Sequence, residues 1–281
     1  MASFNADTLV QPGSLHHLIT SKPMVLIRAL MHNPGDNSPD NSTDYLPGSV
    51  GLDLDADGST TSAGVPHTLP TLEFQATLFG QRGVSMQQPV VVYDNRGMFC
   101  AARVFWMLKA LGHDNVALLD GGLPAWRDAG YLTNQAPILP ATRIFEPAPV
   151  KGWFVDSHTV RAALDAQIQI IDARSPARFS GAEPDPREGV RAGHIPGAMN
   201  LHYRDVLQDN GQFKSHDELK KLLKDKGIVL NRPTICTCGS GITACIIGFV
   251  LRYCGANEVS VYDGSWAEWG ADTSLPVETG A

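Results

Sequence analysis

The chain repeats itself, and the repeat constrains its fold more than any other feature. Tyr45-Leu46-Pro47-Gly48-Ser49-Val50 is echoed by His194-Ile195-Pro196-Gly197-Ala198-Met199. Pro89-Val90-Val91-Val92-Tyr93-Asp94 is echoed by Pro233-Thr234-Ile235-Cys236-Thr237-Cys238, and Leu119-Asp120-Gly121-Gly122-Leu123-Pro124-Ala125-Trp126 by Tyr262-Asp263-Gly264-Ser265-Trp266-Ala267-Glu268-Trp269. Order and spacing agree, so one domain has been duplicated; this is not a solenoid of short units. A chain of 281 residues suits two domains, each large enough for its own core. From Thr133 to Gly152 the sequence carries Pro137, Pro140, Pro147 and Pro149 and little amphipathic pattern, which reads as a linker. The expected division is therefore 1–132, 133–152 and 153–281.

Within the second half the pattern alternates strand and helix. Ile168–Asp172, Thr234–Thr237 and Val259–Tyr262 read as strands. Ser215-His216-Asp217-Glu218 reads as a capping box opening a helix through Lys226. A further helix is expected over Ile242–Tyr253, with Gly255 just past its end. Such alternation predicts an α/β fold with a mostly parallel sheet covered on both faces. Ligands of such sheets bind beyond the carboxyl ends of the strands.

The segment Cys238-Gly239-Ser240-Gly241-Ile242-Thr243-Ala244 falls at that end. A cysteine at a strand end is commonly just a small buried hydrophobe. Here two glycines let the backbone close around a ligand. Loop amides and the following helix N-terminus favour an anion, and so the nucleophilic thiolate. In the register of the repeat, Asp94 stands where Cys238 does, so one active site per chain is expected, in the second half.

Composition narrows the setting. With 43% hydrophobic and 18% charged residues the chain is ordinary for a globular protein. A net charge of −7 and the lack of a Lys/Arg-rich run argue against nucleic acid as a partner. No apolar stretch is long enough to span a membrane, and Met1-Ala2-Ser3-Phe4-Asn5-Ala6-Asp7 shows no secretory pattern. The odd set Cys100, Cys236, Cys238, Cys245 and Cys254 suits a reducing compartment, with a cytoplasmic location expected. Cys236 and Cys238 form a Cys-x-Cys pair, but no further ligand pair sits at metal-site spacing, so no metal is expected. A regulatory disulfide between these two thiols is the weaker alternative.

The duplicated domain, the His-Ile-Pro-Gly-Ala segment, the Asp-Gly-Gly and Asp-Gly-Ser segments followed by tryptophan, and the cysteine loop resemble the rhodanese superfamily in its tandem two-domain form. Coverage runs from Val25 to Trp269. The loop Cys-Gly-Ser-Gly-Ile-Thr is similar to that of the 3-mercaptopyruvate sulfurtransferases; thiosulfate-preferring members typically carry basic residues there, and this loop has none. The resemblance implies two tandem rhodanese-like domains, of which only the second is catalytic. It implies transfer of sulfane sulfur from 3-mercaptopyruvate, through a Cys238 persulfide, to a thiol or cyanide, with release of pyruvate and no cofactor. Acceptors of that class include thioredoxin and low-molecular-weight thiols.

The resemblance also carries site residues over. Arg178 and Arg187 match the family's substrate-binding arginines, and guanidinium forks suit a carboxylate. Gly239, Gly241, Ile242 and Thr243 complete the substrate-binding loop. Ser240, His67 and Asp55 match an Asp-His-Ser arrangement in which His67 polarises Ser240 and Asp55 orients the imidazole. The spacing from Asp55 to His67 is one residue longer than the family's, so Asp53 stays open as the orienting acid. His194, at a turn, reads as structural.

Other classes fit less well. A cysteine-dependent phosphatase needs an arginine six positions after its cysteine, where this chain has Ala244. A regulatory rhodanese-type binding module would lack the cysteine. Thiosulfate sulfurtransferase is the alternative within the same chemistry.

Overall fold

The structure is a computed structural model that describes residues 4, 8–32, 38, 40, 42–166 and 168–280. Most of the N-terminal stretch read above for a leader lies outside the described residues. The chain forms two compact units, one of Met1–Thr60, Leu69–Val150 and Leu207–Phe213, the other of Thr61–Thr68, Lys151–Val206 and Lys214–Ala281.

The first unit contains β1 (Thr8–Val10), α1 (Pro12–Ser21), β2 (Val25–Leu30) and β3 (Ser49–Asp53). The short strands β4 (Thr60–Ser62) and β5 (Val65–Thr68) follow in sequence but fall, from Thr61 on, in the second unit; α2 (Leu72–Gln81), β6 (Val90–Tyr93), α3 (Ala101–Ala110), β7 (Val116–Leu119) and α4 (Gly122–Asp128) complete the first. Its sheet has the order β1-β7-β6-β2-β3, and these neighbours pair in parallel. Val90–Tyr93 and Val116–Leu119 are buried throughout. Unbroken apolar runs are what a parallel sheet under helices demands. One face packs Leu26, Val91, Tyr93, Ala117 and Leu119 against Leu15 of α1 and Leu123 and Trp126 of α4. Full burial of each such aliphatic side chain is worth about 1.5–3 kcal/mol.

The second unit contains β8 (Phe154–Val155), α5 (Ser157–Asp165), β9 (Gln169–Asp172), α6 (Pro176–Ser180) and β10 (Met199–Asn200). A 3-10 turn at Tyr203–Val206 follows, then α7 (His216–Asp225), β11 (Thr234–Thr237), α8 (Ala244–Tyr253), β12 (Val259–Tyr262) and α9 (Ser265–Trp269). Its sheet order, β10-β9-β11-β12-β8, is again parallel and reproduces the first sheet strand for strand. The repeat in sequence is therefore a repeat in topology. Ile235 packs with Val160, Trp266 and Trp269 on one face. Its neighbour Cys236 points the opposite way, as strand geometry requires.

The capping box at Ser215 and Glu218 forms as expected. Helix α8 starts at Ala244, two residues later than the pattern suggests, because Ile242 and Thr243 still belong to the loop. The proline-rich stretch after Thr133 is extended and hydrogen-bonded to the first unit. Asn134 exchanges bonds with Tyr45, Ile138 N–H reaches Ser49 O at 2.8 Å, and Arg143 N–H reaches Gly80 O at 2.9 Å. A Cβ at Gly80 would lie 2.5 Å from Arg143 O, so only glycine permits that approach.

Candidate active site

Strand β11 delivers Cys238 to the carboxyl edge of the second sheet. The residue is 2% exposed. Its carbonyl accepts Trp266 N–H at 3.0 Å, Gly239 O accepts Ala267 N–H at 3.0 Å, and its own N–H donates to Ser265 Oγ at 3.2 Å. The start of the loop is thus laced to α9. Ser265 Oγ–H donates to Tyr262 O at 2.8 Å, and the residue sits at φ 50°, a left-handed conformation unusual for serine. Beneath α9 lies a buried fork. Arg174 Nη2 meets Asp172 Oδ2 at 2.6 Å and Gly193 O at 2.8 Å, and the guanidinium lies 4.5 Å over the Trp266 ring. Gly241 takes φ 74°, which glycine adopts without penalty.

The corresponding loop of the first unit shows what this backbone binds. Asp94, at the position of Cys238, accepts N–H bonds from Arg96 at 2.9 Å, Phe99 at 2.7 Å, Cys100 at 2.9 Å and Ala101 at 3.0 Å. Gly97 there has φ 90°, the counterpart of Gly241. A loop of this design closes its amides on an anion at its first residue. In the first unit that anion is the chain's own carboxylate; in the second the position carries sulfur.

Helix α6 carries Arg178 to the same loop. Pro176 opens the helix, Ser175 caps it, and Gly181 ends it in the left-handed conformation. His194 pins it: the ring stacks on Phe179 at 3.8 Å, and Nδ1 lies 2.8 Å from Phe179 O. His194 is therefore structural, as its turn position suggested. A methyl group added at Gly239 would lie 3.4 Å from Arg178 Nη2 and 3.6 Å from Arg187 Nη1. Both guanidinium groups thus lie against the residue that follows the cysteine. Asp185 joins them, with Oδ2 2.5 Å from Arg178 Nη2 and Oδ1 3.2 Å from Arg187 Nη1. Burial pushes the Asp185 carboxyl up, but the Arg187 N–H and the two guanidinium charges outweigh it and hold the group below the usual range.

Ser240, 7% exposed, meets His67 on β5, with Oγ 3.0 Å from Nδ1. His67 has φ 60°, so a local backbone constraint aims its ring. With the hydroxyl donating to Nδ1 the serine is polarised; with Nδ1–H donating, the serine oxygen is held instead. Either way a proton can pass between them.

The structure therefore brings together Cys238, Gly239, Ser240, Gly241, Arg178, Arg187 and His67. Ile242 and Thr243 lie in the loop, where their carbonyls accept the first α8 amides, from Cys245 at 3.2 Å and Ile246 at 3.1 Å. Asp55 is placed in the first unit, where its Oδ2 accepts the His32 N–H at 2.6 Å and lies 3.2 Å from His32 Nδ1. Asp53 Oδ1 caps the turn below it, accepting Asp55 N–H at 2.9 Å. All five cysteines are free buried thiols, and burial pushes the Cys236 thiol up. No group of three or more metal-ligating side chains occurs among the described residues. Two residues escaped the sequence reading. Asp185 had a signal in its position between the two arginines; Ser265 had one as the serine facing Gly122 in the repeat.

Residues 38–129 and 157–272 each match the rhodanese-like domain. The chain belongs to the rhodanese family. More narrowly, it is 37% identical over 279 residues to the 3-mercaptopyruvate sulfurtransferase of Mus musculus, covering 95% of this chain and 90% of that one. It is 37% identical over 258 residues to the protein of the same name from Escherichia coli K12, covering 90% and 91%. The crystal structure of SseA from Escherichia coli, described as showing the rhodanese fold and catalytic mechanism of 3-mercaptopyruvate sulfotransferases, superposes with a TM-score of 0.82. It is 31% identical and covers 92% of this chain and 98% of its own.

Proposed function

We propose that this chain is a sulfurtransferase that takes sulfur from 3-mercaptopyruvate and passes it to a thiol or to cyanide, with release of pyruvate. The observation that carries the reading is the convergence on one loop. Cys238 opens it, two guanidinium groups lie against Gly239, and a serine–histidine pair stands at Ser240. The similar proteins named above bear the same activity in their names.

In the first half-reaction the Cys238 thiolate attacks the donor sulfur. The S–S bond forms as the donor C–S bond breaks, and the electron pair of that bond becomes the enolate of pyruvate. Ser240, backed by His67, supplies the proton that the enolate carbon gains. Arg178 and Arg187 hold the donor carboxylate and keto oxygen, and loop amides stabilise charge on sulfur. In the second half-reaction an acceptor thiolate attacks the outer persulfide sulfur, and Cys238 leaves as thiolate, a ping-pong cycle. Both half-reactions balance without a cofactor. Thioredoxin or a low-molecular-weight thiol suits the acceptor role, and a reducing cytoplasm suits the reactive thiol. Among the described residues no helix is long and apolar enough to cross a membrane. The chain halves on either side of 133–152 are proposed as the evolutionary domains, with catalysis in the second.

Intact-mass measurement after mercaptopyruvate addition should show one sulfur gained per chain, mapped to Cys238. Cys238→Ser should gain none and lose turnover. A Cys238→Ser protein with wild-type turnover would sink the reading.

A further inference from the structure

The carboxylate of Asp185 has no part in the sulfur transfer itself, yet it is the more deeply buried member of the arginine cluster. Its side chain is 1% exposed, against 23% for Arg178 and 30% for Arg187. One oxygen serves Arg178; the other takes both the side chain of Arg187 and its backbone N–H, the latter at 3.0 Å. Arg178 Nε is buried without a protein partner, so its fork is only partly occupied by Asp185. Two positive charges and one negative charge leave the cluster with a single net positive charge, facing Gly239.

We propose that Asp185 is a positioning residue that sets donor specificity: it fixes both guanidinium groups and cancels one of their charges, so the site matches a monoanionic carboxylate and disfavours a dianion. The proposal rests on the reading of Arg178 and Arg187 as the donor-binding pair. A 3-mercaptopyruvate carboxylate brings one negative charge and neutralises the cluster. Thiosulfate brings two, and the second would stay uncompensated beside a buried carboxylate, an expensive arrangement where water is scarce. The loop amplifies the effect, since Gly239, Ser240 and Gly241 supply no cation. Fixing the forks in advance also spares the entropy that two long side chains would otherwise lose on binding.

The test is kcat/KM for 3-mercaptopyruvate and for thiosulfate, with one common acceptor, in wild type and Asp185→Asn. Removing one negative charge at contact distance should raise the thiosulfate-to-mercaptopyruvate ratio by about tenfold or more. Asp185→Glu, which keeps the charge, should return the ratio toward wild type; a defect of folding alone would not sort donors by charge. A ratio within threefold of wild type, or one that moves toward mercaptopyruvate, overturns the proposal. Should Asp185→Asn not fold, Arg187→Gln makes the opposite charge change at a more exposed position. It should cost thiosulfate at least threefold more than mercaptopyruvate, and equal losses overturn the proposal. A wild-type enzyme that fails to load sulfur from mercaptopyruvate would instead refute the reading of the site. An unchanged ratio in an enzyme that loads normally refutes only the role of Asp185.

Discussion

Ser265 shows how a single residue trades backbone strain for control of the nucleophile. Its counterpart in the repeat, Gly122, has φ 54°, close to the 50° of Ser265. Glycine meets that conformation freely, whereas an L-residue gives up about 1 kcal/mol or slightly more. The serine hydroxyl offsets the strain by receiving Cys238 N–H and donating to Tyr262 O. Ser265→Ala keeps the strain and loses both bonds, leaving a buried N–H unpaired at a cost of about 1–3 kcal/mol. Ser265→Gly loses the bonds but also the strain. The expected order of denaturant midpoints is wild type, then Ser265→Gly, then Ser265→Ala, with the two variants about 1 kcal/mol apart. Both should load sulfur more slowly, because the Cys238 N–H loses its tie to α9 while only the carbonyl bond from Trp266 N–H remains. A Ser265→Ala protein as stable as wild type would show that the hydroxyl is idle.

At the scale of elements, α7 offers the clearest local test. Ser215 Oγ accepts Glu218 N–H while Glu218 Oε2 accepts Ser215 N–H at 2.9 Å. Ser215→Ala should lower stability by about 1 kcal/mol and leave sulfur transfer unchanged. Hydrogen bonds from the Ser215 hydroxyl and backbone hold the Glu218 carboxyl below its usual range. A depressed folded value means that this contribution is complete above the unfolded value, from about pH 5 up, and is lost as pH falls through the unfolded and then the lower folded value. Ser215→Ala should therefore lose less stability than wild type between pH 6 and pH 3 in matched urea titrations. This box was legible because its residues are adjacent in sequence. So were Thr234–Thr237 and Val259–Tyr262, because burial on both faces leaves an apolar run bounded by turn residues. Strand β4 was not legible: Thr60–Ser62 is exposed throughout and carries no alternation. Nor was the start of α8, since Ile242 and Thr243 follow the last glycine of the loop and carry no stop signal, yet the loop geometry holds them outside the helix. In the site, the loop at Cys238 could be read from spacing. His67 came by resemblance alone, because its meeting with Ser240 joins positions 173 residues apart. The grip of Asp185 on two arginines depends on side-chain direction, which no periodicity encodes.

Across the whole molecule, duplication has produced two loops of one design with opposite fates. Asp94 is fully buried and fills its loop with a carboxylate that accepts four backbone amides. That loop is a closed structural joint: its acceptor oxygens belong to the chain itself and occupy its backbone donors. Cys238 leaves the equivalent position in the second unit to a sulfur that can accept and release an atom. Asp94→Ala would leave the first loop's amides unpaired in a buried setting, at about 1–3 kcal/mol for each amide that finds no water. The expected loss in global stability is about 3 kcal/mol or more, among the larger single-residue effects. Asp94→Asn, which keeps an acceptor oxygen at the same reach, should lose clearly less. Neither change touches the chemistry assigned to Cys238, so folded protein of either variant should still gain one sulfur per chain by intact mass. Calorimetry of both variants, paired with that mass measurement, separates the two roles. Unaltered stability in Asp94→Ala would mean that the first loop does not depend on its anion. A sulfur count of zero in well-folded Asp94→Asn would mean that the first loop bears on catalysis after all.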